Sequence, residues 1–287
     1  MLVRFNGVTF GGRTGPLIIT KFTPPTNELE NDYRDKIADD GAYVSRDYLR
    51  SASWVFDIAT NTKSLDEALE AAGSLQRAWR DTKVREALDP HYLSYSHDGN
   101  TWYRVYGKPG KFTSLTPDVH ANLGVGLLTA EFIQTDPTVY AETPNIHTIN
   151  AVPSSTGGLV APLVSPLMTQ GESRERAGRL INEGDNPSPV RIRFYGPSTD
   201  PTVYNSEGYS LTYYGTLSYD MHVTIDPISH DVVLRGGAQV PGRLSRRTRL
   251  SDLKTPPGTT DWYYKAVDPT GTSKVEISTR SAYSTFK

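Results

Sequence analysis

The sequence contains no cysteine, which removes the thiol from every structural and chemical role. Disulfide bonds, zinc sites with thiolate ligands and cysteine nucleophiles are therefore excluded. No run of apolar residues approaches the length of about 18 that a membrane-spanning helix needs. The first residues, MLVRFNGVTF, lack a basic segment followed by an apolar one, so we expect no signal peptide and synthesis in a cytoplasm.

An excess of charge of either sign is also missing, because 30 Lys and Arg residues face 32 Asp and Glu residues. A net charge of −2 gives no overall attraction to nucleic acid or to an anionic membrane. The aromatic residues are mostly tyrosine, with 17 Tyr against 8 Phe and 4 Trp. Tyrosine is typical of half-exposed strands and protein interfaces, because its ring buries area while its hydroxyl stays hydrated.

One amphipathic helix is predicted over residues 64–81, in a chain that otherwise favours short strands. Ser64 is the expected N-cap, and Glu67 three residues later completes a capping box. Apolar residues then recur at helical spacing and form one stripe: Leu65, Leu69, Ala72, Leu75 and Trp79. We expect this stripe to pack on a β-sheet, since a sheet is the partner that the rest of the chain offers.

The remaining residues before position 142 are predicted to form strands and one long acidic loop. Alternation and turn signals place the strands at 2–5, 17–22, two within 42–58, 93–96, 102–106 and 123–133. Asp98-Gly99 between aromatic strands predicts a hairpin. Residues 23–40 are polar and acidic, and two interpretations stay open: an arm that reaches a neighbouring subunit, or a solvated loop.

The second half of the chain is predicted to be all β. Strands at 191–195, 209–213, 222–225 and 232–234 are separated by Gly, Pro, Asn and Asp clusters, a spacing typical of a sandwich or jelly roll. One short helical turn is predicted at 173–179. A change of composition at 141–150 places a domain boundary there, giving domains 1–142 and 143–287, with a Pro/Ser/Gly-rich stretch at 143–169. The predicted fold class is mainly β.

No motif for catalysis, cofactor binding or metal binding is found, so we predict no site residue of these kinds. The six histidines (91, 97, 120, 147, 222 and 230) lack metal-ligand spacing, although His222 and His230 are candidates to approach across a hairpin. The oxygen-rich segment Asn182–Asn186 lacks the frame of a calcium loop. Gly124-x-Gly126 precedes no helix and is not a dinucleotide loop.

Two clusters leave alternatives open. The basic cluster consists of Arg243, Arg246, Arg247 and Arg249. It is interpreted either as a contact to DNA phosphates or an acidic protein, or as a solvated loop or subunit contact. The aromatic cluster Trp262-Tyr263-Tyr264 is either a sugar-stacking surface or part of the core.

The order of elements resembles the distal tail protein (Dit) family of long-tailed bacteriophages, also called minor tail proteins. The N-terminal features are Val3-Arg4-Phe5-Asn6-Gly7, then residues 40–47 (DGAYVSRD), the single helix 64–81, and residues 127–132 running into Asp136-Pro137-Thr138-Val139-Tyr140. The C-terminal features are residues 180–185 (LINEGD) with Pro189-Val190-Arg191-Ile192, residues 217–226, Val232-Val233-Leu234, Trp262 and residues 278–283 (STRSAY).

This resemblance implies a structural part of the virion and not an enzyme. It implies an N-terminal β-sandwich carrying one helix, followed by a C-terminal galectin-like sandwich. Six N-terminal domains would form a hexameric ring at the tail tip, made in the host cytoplasm. That ring would join the major tail tube protein to a hub, tail-associated or fibre protein. Its lumen would hold the tape measure protein and later pass DNA.

Two other function classes stay open. The first is a carbohydrate-binding module for host-surface glycans, for which the nearest candidate set is His222, Asn205, Arg235 and Trp262. A galectin-like fold does not by itself carry sugar binding. The second is a glycan-degrading enzyme of a tail tip, which requires a pair of carboxylates in a cleft.

Overall fold

The computed structural model describes residues 1–150 and 177–287, apart from residues 27, 32, 38, 87–90, 116–118, 247–248 and 269. The chain divides into two compact units, Met1–Glu142 with Ser284–Lys287, and Thr143–Tyr283. The division after residue 142 falls where the sequence places its boundary, but the last four residues group with the first unit. Most of the predicted Pro/Ser/Gly-rich stretch lies outside the described residues. So does the start of the turn predicted at 173–179, and residues 177–179 begin a strand.

Over its described residues, the first unit is a β structure with three helices, of which one is long. Its strands are β1 (Leu2–Phe5), β2 (Val8–Gly11), β3 (Leu17–Thr23), β4 (Leu29–Glu30), β5 (Tyr33–Asp35), β6 (Ala42–Val44), β7 (Tyr48–Leu49), β8 (Ala52–Thr60), β9 (His91–Ser96), β10 (Tyr103–Thr113), β11 (Leu127–Gln134) and β12 (Val139–Ala141). Its helices are α1 (Leu65–Trp79), α2 (Thr82–Glu86) and α3 (Val119–Asn122). Among the described residues, no helix combines the length and apolar character needed to cross a membrane.

Seven of these strands form one antiparallel sheet in the order β2-β1-β9-β10-β11-β8-β3, and β12 pairs with the start of β10. Strand β8 shows why this sheet forms, because its side chains alternate strictly between buried and half-buried. Trp54, Phe56 and Ile58 point into the core. A period of two is what a strand with one buried face requires.

The predicted helix is present, but its ends and its buried face differ in detail. Ser64 is the N-cap and accepts a 3.3 Å hydrogen bond from the Glu67 amide. The helix ends at Trp79 and not at residue 81. Its buried residues are Ala68, Ala72, Leu75, Ala78 and Trp79. Leu69, placed in the stripe by sequence, is 42% exposed because the small Ala68 faces the sheet instead.

Trp79 fixes α1 on the sheet. Its ring centroid lies 4.6 Å from that of Phe5 and 6.2 Å from that of Phe10, so residues of β1 and β2 pack on it directly. Phe132 of β11 packs at 6.5 Å. The indole Nε1 donates a 2.9 Å hydrogen bond to the Glu131 carbonyl oxygen, so the buried polar atom of the ring is satisfied.

The segment predicted as an acidic loop contains strands. β4 pairs with β7, and β5 pairs with β6, so the described residues of 28–50 form a two-stranded antiparallel hairpin. The loop prediction for 23–40 is therefore wrong, and the first of the two strands predicted within 42–58 is the return strand of this hairpin. These strands cannot be recognised in the sequence because both faces of the hairpin are exposed. The alternation of polar and apolar residues that marks a half-buried strand is therefore missing.

Over its described residues, the second unit consists of two larger sheets around one core and one short two-stranded sheet. Its strands are β13 (Asn145–Asn150), β14 (Ala177–Asn182), β15 (Ser188–Pro189), β16 (Arg191–Tyr195), β17 (Ser198–Asn205), β18 (Ser210–Thr212), β19 (Thr216–Leu217), β20 (His222–Asp226), β21 (Asp231–Leu234), β22 (Lys254–Thr255), β23 (Gly258–Val267), β24 (Lys274–Thr279) and β25 (Ala282–Tyr283). The sheets run β13-β24-β16-β20-β21 and β14-β23-β17-β18. The mainly β fold class is confirmed.

The core of the second unit is contributed by both sheets. Phe194 and Ile277 come from the first sheet, and Val203 and Trp262 from the second, and all four are fully buried. Short 3-10 turns, Pro241–Arg243 and Leu250–Asp252, lie in the irregular segment between β21 and β22.

The last residues of the chain pack in the first unit. The Phe286 ring stacks on Tyr95 with centroids 5.1 Å apart and also lies 5.3 Å from Trp54. Phe22 and His97 complete its surroundings. The predicted boundaries place these four residues in the second domain, because four residues are too few to show a pattern of their own.

We expect Trp79→Ala to lower the free energy of unfolding of the first unit by about 3–5 kcal/mol, because it empties a site lined by four aromatic rings. Leu69→Ala is the matched control on the exposed face of the same helix and should cost less than about 1 kcal/mol. Denaturant unfolding of the two variants measures both values. Equal losses would contradict the packing described here.

The Asp98 carboxylate should titrate far below its ordinary value. Hydrogen bonds from the Thr101 and Asn100 amides, and from the Ser96 hydroxyl, lower its pKa from 3.8 to about 2. This turn closes the predicted β9–β10 hairpin. Because the folded-state pKa is depressed, its stabilising effect is present above about pH 4 and is lost as pH falls through 2. Carboxylate NMR titration tests this, and a pKa near 4 would contradict it.

Candidate assembly surfaces

The hairpin of residues 28–50, called the arm from here on, is the most exposed ordered part of the first unit. Register pairs Leu29 with Leu49 near its base and Asp35 with Ala42 near its tip. The Arg50 amide donates a 2.9 Å hydrogen bond to the Glu28 carbonyl oxygen, which closes the base. Gly41 turns the chain at the tip with a φ of +102°, a conformation that side chains disfavour.

The arm carries large apolar side chains that its own unit leaves exposed. They are Leu29, Tyr33, Ile37, Tyr43, Val44, Tyr48 and Leu49. An isolated two-stranded hairpin is marginally stable in water, and unpaired strand edges invite pairing with another chain. A protein surface with this much clustered apolar area marks an interaction site. The arm therefore has the composition of a segment that another molecule covers.

A polar cluster lies on the outer face of the sheet, beside a cleft of about 670 Å³ lined by Arg4, Asn6, Tyr92 and Glu142 among others. Arg104 is 9% exposed and binds both carboxylate oxygens of Glu142 through Nε and Nη2. Its guanidinium carbon also lies 4.0 Å from the centroid of the Tyr92 ring. An arginine held by a bidentate ion pair and a ring face is rigid, which suits a structural role.

The histidines do not form a site. Over the ranges that the structure describes, no three His, Asp or Glu side chains gather in a way that would hold a metal ion. His222 and His230 do not meet: the His222 carbonyl oxygen accepts from the Arg235 amide at the open end of the β20–β21 hairpin, whereas His230 lies in its closing turn. The approach considered from sequence fails because the two residues occupy opposite ends of the hairpin.

The Asn182–Asn186 segment is a turn, and its buried Asn182 has a structural role. The Asn182 side-chain amide donates a 2.7 Å hydrogen bond to the Asn186 carbonyl oxygen. Its Oδ1 accepts hydrogen bonds from the Gly184 and Ala282 amides. The side-chain oxygen of Asn182 is thus already engaged by backbone amides.

The basic cluster lies in the irregular segment between β21 and β22. The Arg243 guanidinium donates a 3.2 Å hydrogen bond to the Tyr213 hydroxyl, which anchors that side chain to its own unit. Arg247 lies outside the described residues. The aromatic cluster divides, since Trp262 and Tyr264 are core residues while Tyr263 stacks on Tyr204 with centroids 5.3 Å apart.

The four residues considered for sugar binding split between the two sheets. His222 and Arg235 line one cleft of about 370 Å³. Asn205 and Trp262 are paired across β17 and β23 of the other sheet and are buried. Burial, aided by Arg193 and Arg235, lowers the pKa of His222. The set considered from sequence is therefore not one site.

Comparison with protein-family models gives no match, and comparison with curated proteins gives none either. Solved structures do match. The crystal structure of the Dit protein of phage SPP1, titled a paradigm of the hub adsorption apparatus in phages infecting Gram-positive bacteria, aligns with a TM-score of 0.58. It is 13% identical, with 98% of each chain covered. The chain has the fold of the SPP1 Dit protein.

Two structures of the phage p2 baseplate in its activated conformation also match. The Sr-bound structure has a TM-score of 0.58 and 10% identity, covering 97% of this chain and 96% of the other. The Ca-bound structure has a TM-score of 0.53 and 11% identity, covering 96% and 93%. The likeness found in the sequence from turn and strand order is thus confirmed for the fold along nearly the whole chain.

Sequence reasoning missed the apolar residues of the arm as interface candidates. The signal was present, because Tyr33, Tyr43, Val44 and Tyr48 are strand-favouring residues. Six acidic residues at 28–40, together with the absence of alternation, favour a loop, and the sequence leaves open whether that loop is solvated or reaches a neighbouring subunit.

Removing the acid of the Arg104–Glu142 pair should destabilise the first unit. Arg104 is nearly buried while the Glu142 side chain is 31% exposed, so we expect Glu142→Gln to cost about 1–3 kcal/mol in the free energy of unfolding. Glu30→Gln, which breaks an exposed pair with Arg50, is the control and should cost less than about 1 kcal/mol. Denaturant unfolding compares the two. A cost for Glu142→Gln as small as that of Glu30→Gln would contradict the structural role given to this pair.

Proposed function

We propose that this protein is a structural component of the tail tip of a long-tailed bacteriophage, a distal tail protein that forms the hub ring. One observation carries the proposal: phage hub and baseplate proteins align with this chain over nearly the full length of both. A match of that extent covers both units and their order, not one common module. The proposed location is the virion, after synthesis in the host cytoplasm.

The first unit builds the ring in this proposal. Head-to-tail contacts between identical subunits form a closed ring when the rotation between neighbours closes, and six copies are expected from the family resemblance. The arm supports this role, because its exposed apolar side chains need cover that its own unit does not give. In a ring, a neighbouring copy of the chain is always present and can bury these side chains.

The partners proposed for the ring follow from its place in the tail. One surface meets the major tail tube protein and the opposite one a hub, tail-associated or fibre protein. The lumen holds the tape measure protein and then passes DNA. The second unit is proposed to be a galectin-like domain that contacts other tail proteins. Catalysis has no part in this proposal, and neither a cofactor nor a metal is needed.

Solution mass and negative-stain electron microscopy test the proposal. We expect a species of six times the 31.7 kDa chain, seen as a ring with peripheral lobes, either alone or after addition of the tube protein. A monomer at high concentration that also fails to form rings with tube protein, and no ring at the tail tip in micrographs, would contradict it.

Shortening the arm should weaken assembly without unfolding the protein. Replacing residues 29–49 with an Asn-Gly turn is feasible, because Glu28 and Arg50 are already hydrogen-bonded neighbours. We expect the thermal midpoint to stay within a few degrees while the concentration needed for ring formation rises about 30-fold or more. Mass photometry over a dilution series measures this. Unchanged assembly would show that the arm is not a ring contact.

A further inference from the structure

A second exposed apolar surface lies at the other end of the same strands that carry the arm. Leu123, Val125 and Leu127 precede and begin β11 and are 69%, 46% and 70% exposed. They alternate with Gly124 and Gly126, which are buried. Leu127 of β11 is the register partner of Ala59 in β8, and Ala59 is in turn the partner of Ile18 in β3. The apolar surface therefore continues across three neighbouring strands of the sheet. These five apolar residues are called the ridge.

The ridge is held rigidly, so its exposure is built into the fold. The Thr60 hydroxyl donates to the Gly124 carbonyl oxygen at 2.9 Å and accepts from the Gly126 amide at 2.7 Å. A Cβ on Gly124 would lie 2.2 Å from the Thr62 carbonyl oxygen, and one on Gly126 would lie 2.2 Å from Leu115 Cδ1. Gly124 has a φ of +83° and its Cβ would meet backbone atoms, so only glycine fits there, whereas at Gly126 the Leu115 side chain would have to move. The fold thereby keeps Leu123, Val125 and Leu127 exposed to water.

The arm of the same chain is not placed to cover the ridge. Strand β3 begins beside the ridge at Leu17 and Ile18 and leads into the arm after Thr23. The ridge and the base of the arm therefore stand at opposite ends of β3, about 15–20 Å apart at 3.3 Å per residue.

We propose that the ridge is the docking surface for the arm of a second copy of this chain. The inference rests on the proposed ring, and it names the surface that receives the arm. In a head-to-tail contact, one surface of each subunit binds a different surface of the next subunit. Each copy of this chain presents an arm at one end and a ridge at the other, so the arm of one copy can bind the ridge of its neighbour. The arm brings a ribbon of apolar residues, including the adjacent Tyr43 and Val44, to a rigid apolar strip.

Charge adds to the same pairing. Asp35 and Asp40 at the tip of the arm are exposed acids, whereas Asp39 is already paired with Lys36 at 3.4 Å. Lys63, which follows the Thr62 that bonds Gly124, is exposed beside the ridge. Lys21 of β3 is also exposed, but its register partner on β8 is Asp57. Attraction between the acids of the tip and Lys63 orients the two copies before the apolar surfaces meet.

Chemical crosslinking tests the docking directly, because the natural chain has no cysteine to interfere. Tyr43→Cys in one preparation and Leu127→Cys in another are mixed as full-length proteins under assembly conditions and treated with a short bis-maleimide. We expect crosslinked dimers from this mixture. The matched control pairs Tyr43→Cys with Tyr92→Cys, an exposed position on β9 outside the ridge, and should give few.

A second variant measures the energetic part of the proposal. Leu127→Asp should raise the concentration needed for ring formation about 30-fold or more, whereas Leu69→Asp on the exposed face of α1 should leave it unchanged. Both positions are exposed, so thermal unfolding should stay close to wild type. Normal ring formation by Leu127→Asp, or equal crosslinking in the control mixture, would contradict the proposal that the ridge is the docking surface. Either result would still be consistent with the proposed ring. Absence of any assembly would overturn both.

Discussion

Strand β8 is the element on which the first unit depends. It pairs with β11 on one side and β3 on the other over nearly its whole length, and its inward residues Trp54, Phe56 and Ile58 form the centre of the core. Its first residues lie next to the base of the arm. Near its other end, Ala59 belongs to the ridge and the Thr60 hydroxyl bonds Gly124 and Gly126. The length of one strand thus sets the separation of two exposed apolar surfaces.

The sequence predicts the elements whose side chains face two different environments. Strands β1, β16 and β20, and helix α1 with its Ser64 cap, are found within two residues of their predicted bounds because burial alternates along them. The sequence offers an arm at residues 23–40 but not its strand pairing, because a hairpin that is exposed on both faces has no such pattern. The ridge was missed for a related reason, since Leu123 to Leu127 look like a buried strand until neighbouring strands show which face is outward.

In the second unit, residues that look like a binding site in the sequence lie apart in the fold. Trp262 and Asn205 were considered with His222 and Arg235 on residue type alone, yet the two pairs belong to different sheets. Sequence separation gives no information on which sheet a strand joins, because that depends on long-range pairing. Buried polar residues such as Asn182 likewise look like ligands in the sequence and are engaged by backbone amides in the fold.

Location in the virion tests the central claim most directly. Antibodies raised against this chain and detected with gold particles on intact phage should label the distal end of the tail. Labelling at the capsid or along the tube, or no labelling of purified virions that contain other tail proteins, would contradict a role as the ring between the tail tube and the tail tip.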